Sequence, residues 1–248
     1  MNRGVYEISS AAVAQQTRLD AVAQNLANAR TSGYKAARVS FSSELVQNFP
    51  LPGADGWVAG SAPEVVDASQ TIDFAPGAIV TTGNPLDVAI DGDGFLAVTT
   101  PQGERYTRQG TLRVDAEGYL VTAAGNRVQS DSGDIRVATQ GPVEIAEDGS
   151  VVVDGKITDR VKVVTFGAAP SLVPEGNAVF AAGGTPPTRL DAGQTKLLPR
   201  ALEEANVDPV SGLVALVDVA RSYESYMRAI QRLDEVAKKS IDEVGRVG

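Results

Sequence analysis

Small and apolar side chains recur at alternating intervals of three and four residues at both ends of this 248-residue chain. A seven-residue period of that kind belongs to helices that pack along one seam, and it restricts the possible folds more than any other feature here. Near the start, Val5, Ala12, Leu19 and Leu26 form one row and Ile8, Val22 and Ala29 the other, with Gln15 the single interruption. No Pro or Gly falls between Val5 and Ala29, and Thr31-Ser32-Gly33 supplies a stop. Near the end, Leu213, Ala220, Met227 and Ile241 form one row, and Leu216, Tyr223, Ile230, Ala237 and Val244 the other, with Asp234 as a charged intruder. The spacing predicts a helix from Pro209 to Val244, capped by Asp208 and opened by Pro209, whose missing N–H would be unpaired there in any case.

Between these ends the period changes to two. Leu86-Val88-Ile90, Ile135-Val137, Val143-Ile145, Val151-Val153 and Val161-Val163 alternate with polar residues and are separated by Gly, Asp and Asn. These are expected to be strands of an antiparallel β domain, with hairpin turns at Asp91-Gly92-Asp93-Gly94, Asp148-Gly149 and Asp154-Gly155. From Phe49 to Ile79, prolines and glycines crowd out any period, and Ala182 to Pro187 repeats that character on the return. The expected class is therefore α+β, with long, paired, coiled-coil-like terminal helices around a central antiparallel β domain carried on extended linkers. Its expected parts are an N-terminal helix at 1–35, a linker at 36–79, the β domain at 80–185, a return linker at 186–208 and a C-terminal helix at 209–248.

Composition removes much chemistry. The chain holds no His and no Cys, which excludes imidazole and thiolate metal sites, Ser-His-Asp triads, Cys-His nucleophiles and disulfides. Its formal charge of -9 disfavours a nucleic acid, whose binding relies on clustered Lys and Arg. The most apolar long stretch, Val210 to Ala220, is broken by Ser211, Gly212 and Asp218 and is too short to span a bilayer. Met1 to Ala14 contain no continuous apolar run, so no cleaved secretory signal is expected. No cofactor, metal or small-molecule substrate is expected either.

Three further stretches resemble one family. Asn25-Leu26-Ala27-Asn28 with Thr31-Ser32-Gly33-Tyr34-Lys35 is similar to the N-terminal signature of flagellar rod, hook and hook-associated axial proteins. Asn84-Pro85-Leu86 running into Gly92-Asp93-Gly94-Phe95, then Tyr106-Thr107-Arg108-Gln109-Gly110, resembles the core motif of the rod and hook group. Leu202 to Val210, with Asn206-Val207 at its centre, resembles the C-terminal signature. Length, Asp208-Pro209-Val210 and Tyr226 to Ile230 look more like the proximal than the distal rod proteins, while Arg30, Leu96 and Gln109 depart from the usual pattern. The resemblance implies a structural subunit of the bacterial flagellar basal-body rod. It further implies partners among copies of itself, other proximal and distal rod proteins and the flagellar export apparatus, and a place in the periplasmic space.

On that reading the packing residues between subunits are Val5, Ile8, Ala12, Leu19, Val22, Leu26, Leu213, Leu216, Ala220, Tyr223, Met227 and Ile230. A self-contained helical hairpin is the simpler alternative for the same stripes. Asp91 to Gly94 lacks the further oxygen ligands and terminal Glu of a calcium loop and is expected to be a turn. Glu203-Glu204 and Asp242-Glu243 are expected to be solvated surface rather than a glycosidase acid and base. The competing function from another class is a surface or phage-like adhesin with a β domain on a coiled-coil stalk.

Overall fold

The computed structural model describes residues 2–45, 64–137, 141–167, 172–190 and 196–244. It forms two compact units: Met1–Ala27, Ala37–Asp73 and Asp208–Gly248 make the first, and Asn28–Ala36 with Phe74–Val207 the second.

The first unit holds both long helices, α1 (Asn2–Ala27) and α2 (Pro209–Val244), which pack on each other. The Asp208 carboxylate accepts from the Val210 N–H at 3.1 Å and from the Ser211 hydroxyl, and its carbonyl accepts from Gly212 N–H at 2.9 Å, so the predicted cap is in place. Helix α1 stops at Ala27, where a turn through Asn28 to Arg30 follows. Residues 36–79, expected to be a linker, instead contain an antiparallel strand pair, Ala37–Leu45 with Glu64–Ile72, in register from Ala37↔Ile72 to Leu45↔Glu64. Residues 46–63 of that stretch lie outside the described residues. The pair packs against α1, and the Asn25 amide fixes it there by donating to Ala37 O and accepting from Ala37 N–H, each at 2.8 Å.

Helix α1 therefore has three faces. The predicted rows turn toward α2: Leu26 lies against Gly212, and Ile8, Leu19 and Val22 are half-buried while Ala12 is buried. Ala14 and Ala21 are buried on the line of Asn25, the face toward the strands. Val13, Gln16, Asp20, Ala23 and Ala27 form the exposed third face. The seam of α2 runs through Gly212, Leu216, Val219, Tyr223, Tyr226, Ile230 and Leu233, all at least half-buried. Of the expected rows, Leu216, Tyr223 and Ile230 lie on this seam and Ala220 is half-buried beside it, but Leu213 and Met227 are exposed. One step of 100° separates Leu213 from Gly212, and Tyr226 rather than Met227 takes the inward position. The side chains of Val5, Ala237, Ile241 and Val244 lie outside the described residues.

The second unit is antiparallel β throughout its described ladders. Its largest sheet runs in the order Leu172–Gly176, Val179–Ala182, Gly103–Thr107, Phe95–Thr100, Arg127–Val128, Leu120–Thr122, Leu112–Val114, with Val163–Thr165 also pairing onto Phe95–Thr100 and with Thr188–Arg189. A three-stranded sheet joins Val143–Ile145, Ser150–Val153 and Lys156–Arg160. Each predicted alternation supplies the core: Val88, Ile90, Ile135, Val137, Ile145, Val151, Val153, Val161 and Val163 are buried with Leu96, Leu120 and Leu197. Asp154 and Gly155, with φ of 49° and 74°, close the two-residue hairpin that the sequence predicts. Asp91 to Gly94 is no hairpin, because Val88–Asp91 pairs with Lys196–Pro199 and the turn passes the chain from one sheet to another. The return segment 186–208 also contains strands, Lys196–Pro199 and Ala201–Glu203, the latter paired with Ile79–Thr81.

Candidate functional site

Within the second unit, segments from three distant parts of the sequence meet around the Glu203 carboxylate. Strand Ala201–Glu203 alternates its side chains, so Glu203 shares the inward face with buried Ala201. One carboxylate oxygen, Oε1, accepts from Lys35 Nζ at 2.6 Å and from Gly77 N–H at 2.8 Å. The other, Oε2, accepts from Arg108 Nη1 at 3.1 Å. Lys35 and Glu203 are each 2 % exposed and Arg108 5 %. Glu203 was expected on the surface; it is buried because two cations and an amide replace its water.

Both cations also donate to backbone carbonyls, while Arg108 Nε is buried with no hydrogen-bond partner among the described residues. Lys35 Nζ donates to Ala75 O at 2.8 Å, and Arg108 Nη2 donates to Gly92 O at 2.6 Å. The Arg108 guanidinium lies 5.3 Å from the centre of the Phe95 ring, and Phe95 in turn makes edge contacts with Phe74, Phe166 and Phe180. Burial alone would raise the Glu203 pKa, but the hydrogen bond from Lys35, the charge of Arg108 and the Gly77 N–H hold it below the usual carboxylate range. A carboxylate that stays ionised and enclosed is a clamp; general acid catalysis needs one that carries a proton near neutral pH.

Backbone contacts tighten the same junction. Gly33 N–H donates to Glu203 O at 2.8 Å, Ala36 N–H to Asn206 Oδ1 at 2.7 Å, and Asn206 Nδ2 to Ala75 O at 3.1 Å. Gly33 sits at φ 67°, and a Cβ there would stand 2.2 Å from Arg108 O. Its requirement is thus close approach, and the helix stop expected at Thr31-Ser32-Gly33 comes earlier, at Ala27. Gly110 is similar, since an added Cβ would lie 1.6 Å from Val88 O.

The other motif residues serve turns and packing. Asn84 Nδ2 and Thr82 Oγ1 donate to the two oxygens of Asp87 at 2.9 and 2.7 Å, while Asn84 Oδ1 accepts from Leu86 N–H at 3.4 Å, forming a turn around Pro85. Asn28 O accepts from Thr31 N–H at 2.9 Å. Gly94 is buried against Val163 and Ile90, Leu86 packs on the core, and Val207 is half-buried. Tyr106 stacks edge-on to Phe166 at 4.8 Å; burial first, then Glu104, pushes its pKa up to about 12. Lys35 and Glu203 each stand inside a sequence motif, and nothing in their spacing marks them as partners.

In the first unit the second candidate surface is the side of α2 opposite its seam, where Val210, Val214 and Val217 are 69, 60 and 49 % exposed. A shallow groove of about 390 Å³ beside them is lined by Arg18, Ser211, Ala215, Asp218 and Ser222 among others.

Three family models match the chain. The flagella basal body rod protein model matches residues 8–35, the flagellar hook protein FlgE/F/G D1 domain residues 89–153, and the flagellar basal body rod FlgEFG protein C-terminal model residues 198–243. Lys35, Arg108 and Glu203 come one from each matched segment. Among curated relatives, the flagellar basal-body rod protein FlgF of Caulobacter vibrioides is 30% identical over 250 residues and covers all of both chains. FlgF of Escherichia coli is 32% identical over 97% of each chain, and the FlgG protein of Bacillus subtilis is 30% identical over 98% of this chain and 99% of its own. These likenesses give the adhesin alternative no support.

Proposed function

The chain belongs to the flagellar basal-body rod protein family, as a FlgF-like or FlgG-like member, and from that premise we propose how it works as a structural subunit of the rod. It is a proximal rod protein that polymerises through α1 and α2 with copies of itself and with other rod proteins, proximal and distal. The assembly so formed transmits torque as an axial shaft in the periplasmic space. The subunit travels through the flagellar export apparatus, with its terminal segments largely unfolded until they meet neighbours at the growing tip. Its role is mechanical and not catalytic.

The observation that carries this reading is the contrast between the two units. The β unit closes its own core around Leu96, Leu120, Val128, Ile135 and Val151, each 0 % exposed, whereas α2 leaves Val210, Leu213, Val214 and Val217 uncovered. Apolar side chains in a row on one helix face are a surface made to be covered. Different surfaces joined head to tail with a rotation that does not close build a helical tube and not a ring.

Hydrogen exchange on the full chain, free and assembled, tests it. The expected result is rapid exchange of α1 and α2 amides in the monomer, slow exchange in the assembly, and slow exchange of the β unit in both. Helices already fully protected in a dilute monomer overturn the coupling of order to assembly.

A further inference from the structure

Resting on the rod reading, the residues also specify which helix faces meet. On α2, Val210, Val214, Val217 and Arg221 lie within about 60° of one another on the side away from the seam, and all four are exposed. On α1 the corresponding outward face carries Val13, Asp20, Ala23 and Ala27, also exposed and turned away from both α2 and the strand pair. Among the described residues neither Asp20 nor Arg221 has an ion-pair partner in its own chain, although Arg228, further along α2, pairs with Glu224 at 3.7 Å. Asp20 precedes Ala27 by seven residues and Arg221 follows Val214 by seven, so both charges stand about 10 Å from the small or branched apolar residue on their own helix.

We propose that the outer face of α2 seats the outer face of α1 from a second copy of this chain, with Val214 and Val217 over Ala27 and Ala23 and Arg221 against Asp20. Small Ala side chains let the helix axes approach, and the valines fill the space. The occupant is a second copy because the two faces point in different directions on one molecule. Charge complementarity agrees: a chain of net charge -9 that places an unpaired arginine beside this valine strip favours an acidic partner of its own kind. Each copy offers one face of each type, so the contact is head to tail and can pass from copy to copy.

The absence of cysteine makes the test clean. Full-length Ala27→Cys and Val214→Cys variants carrying different tags are mixed, concentrated until sedimentation shows association, and oxidised. A disulfide forms only where Cα atoms come within about 7 Å. The expected product is a covalent dimer bearing both tags. Adding Arg221→Glu to the Val214→Cys chain lowers its yield by about threefold, and adding Asp20→Arg to the other chain restores it. Association without the mixed-tag dimer overturns the face assignment and leaves the rod reading standing. A mixed-tag dimer indifferent to both charge changes overturns the Asp20–Arg221 contact and with it this register. No association at any concentration removes the rod reading and this inference together.

Discussion

Replacing Glu203 with Gln tests the clamp directly, because the shape is kept and the charge is lost. Gln retains one carbonyl oxygen, which serves Lys35 or Gly77, while its amide nitrogen turns a donor toward Arg108 Nη1, now 3.1 Å away with nothing to accept it. Two buried cations then share one neutral acceptor. Removing one member of a buried ionic group destabilises by about 3–5 kcal/mol, and for a chain of this size each kcal/mol moves Tm by roughly 2–4 °C. Calorimetry of the full chain at pH 7 is therefore expected to show the β-unit transition about 10 °C lower. The pH dependence has a defined sign. Glu203 titrates lower in the folded protein than unfolded, so its contribution is fully present above the ordinary glutamate value near 4.3 and is lost as pH falls through the depressed one. The gap between wild type and Glu203→Gln thus narrows as pH drops below about 4.3. A double-mutant cycle with Lys35→Met should return a coupling above about 1 kcal/mol. A loss at pH 7 of less than about 1 kcal/mol, the size of an exposed pair, refutes the assignment of Glu203 as a buried anchor.

Three other outcomes follow from the same geometry. Gly33→Ala forces a Cβ to within 2.2 Å of Arg108 O at a positive φ, so chemical denaturation should show a loss above about 2 kcal/mol, more than the left-handed conformation alone costs. Leu96→Ala, at a fully buried site, should cost about 2–5 kcal/mol, whereas Leu213→Ala, which is 53 % exposed, should leave monomer stability within about 0.5 kcal/mol and show its effect in sedimentation of the assembly. Asp208→Ala removes the carboxylate that receives Val210 N–H and the Ser211 hydroxyl, and should weaken α2 by about 1 kcal/mol, read as lower helical ellipticity of the assembled chain on heating.

The fold was legible wherever a period was local. The bounds of α2 follow from Asp208-Pro209 and a seven-residue pattern interrupted only at Asp234, and the β core follows from alternations such as Val151-Val153 closed by Asp154-Gly155. The missed strands had the period too: Ala37, Val39, Phe41 and Leu45 alternate with Arg38, Ser40, Ser42 and Glu44. Their proximity to the Pro- and Gly-rich stretch concealed it, and their partner lies across that stretch at Glu64–Ile72. The seam of α2 was misplaced by one residue along one row because glycine and tyrosine can both line a seam, yet hydrophobicity ranks Leu213 and Met227 above Gly212 and Tyr226. Ala14 and Ala21 went unnoticed for a related reason: a face that packs on a strand pair is invisible until the strands are known.

The clamp was not legible, since Lys35 and Glu203 stand 168 residues apart and charged side chains are ordinarily at the surface. What the sequence does contain is three motifs, and the structure brings one residue of each to the same carboxylate. Lys35 and Arg108 both donate to Glu203, so the three segments meet at one buried carboxylate. The motif residues at this junction therefore act within the chain, holding Gly33 and Asn206 on one β unit. Of those proposed to act between chains, Asp20, Ala23, Val214, Val217 and Arg221 fall outside every motif, while Ala27 lies within Asn25-Leu26-Ala27-Asn28. Copies that share the junction can consequently differ in the outer faces of α1 and α2. Exchanging Asp20 and Arg221 should redirect which copies join while leaving the β-unit melting transition where it was.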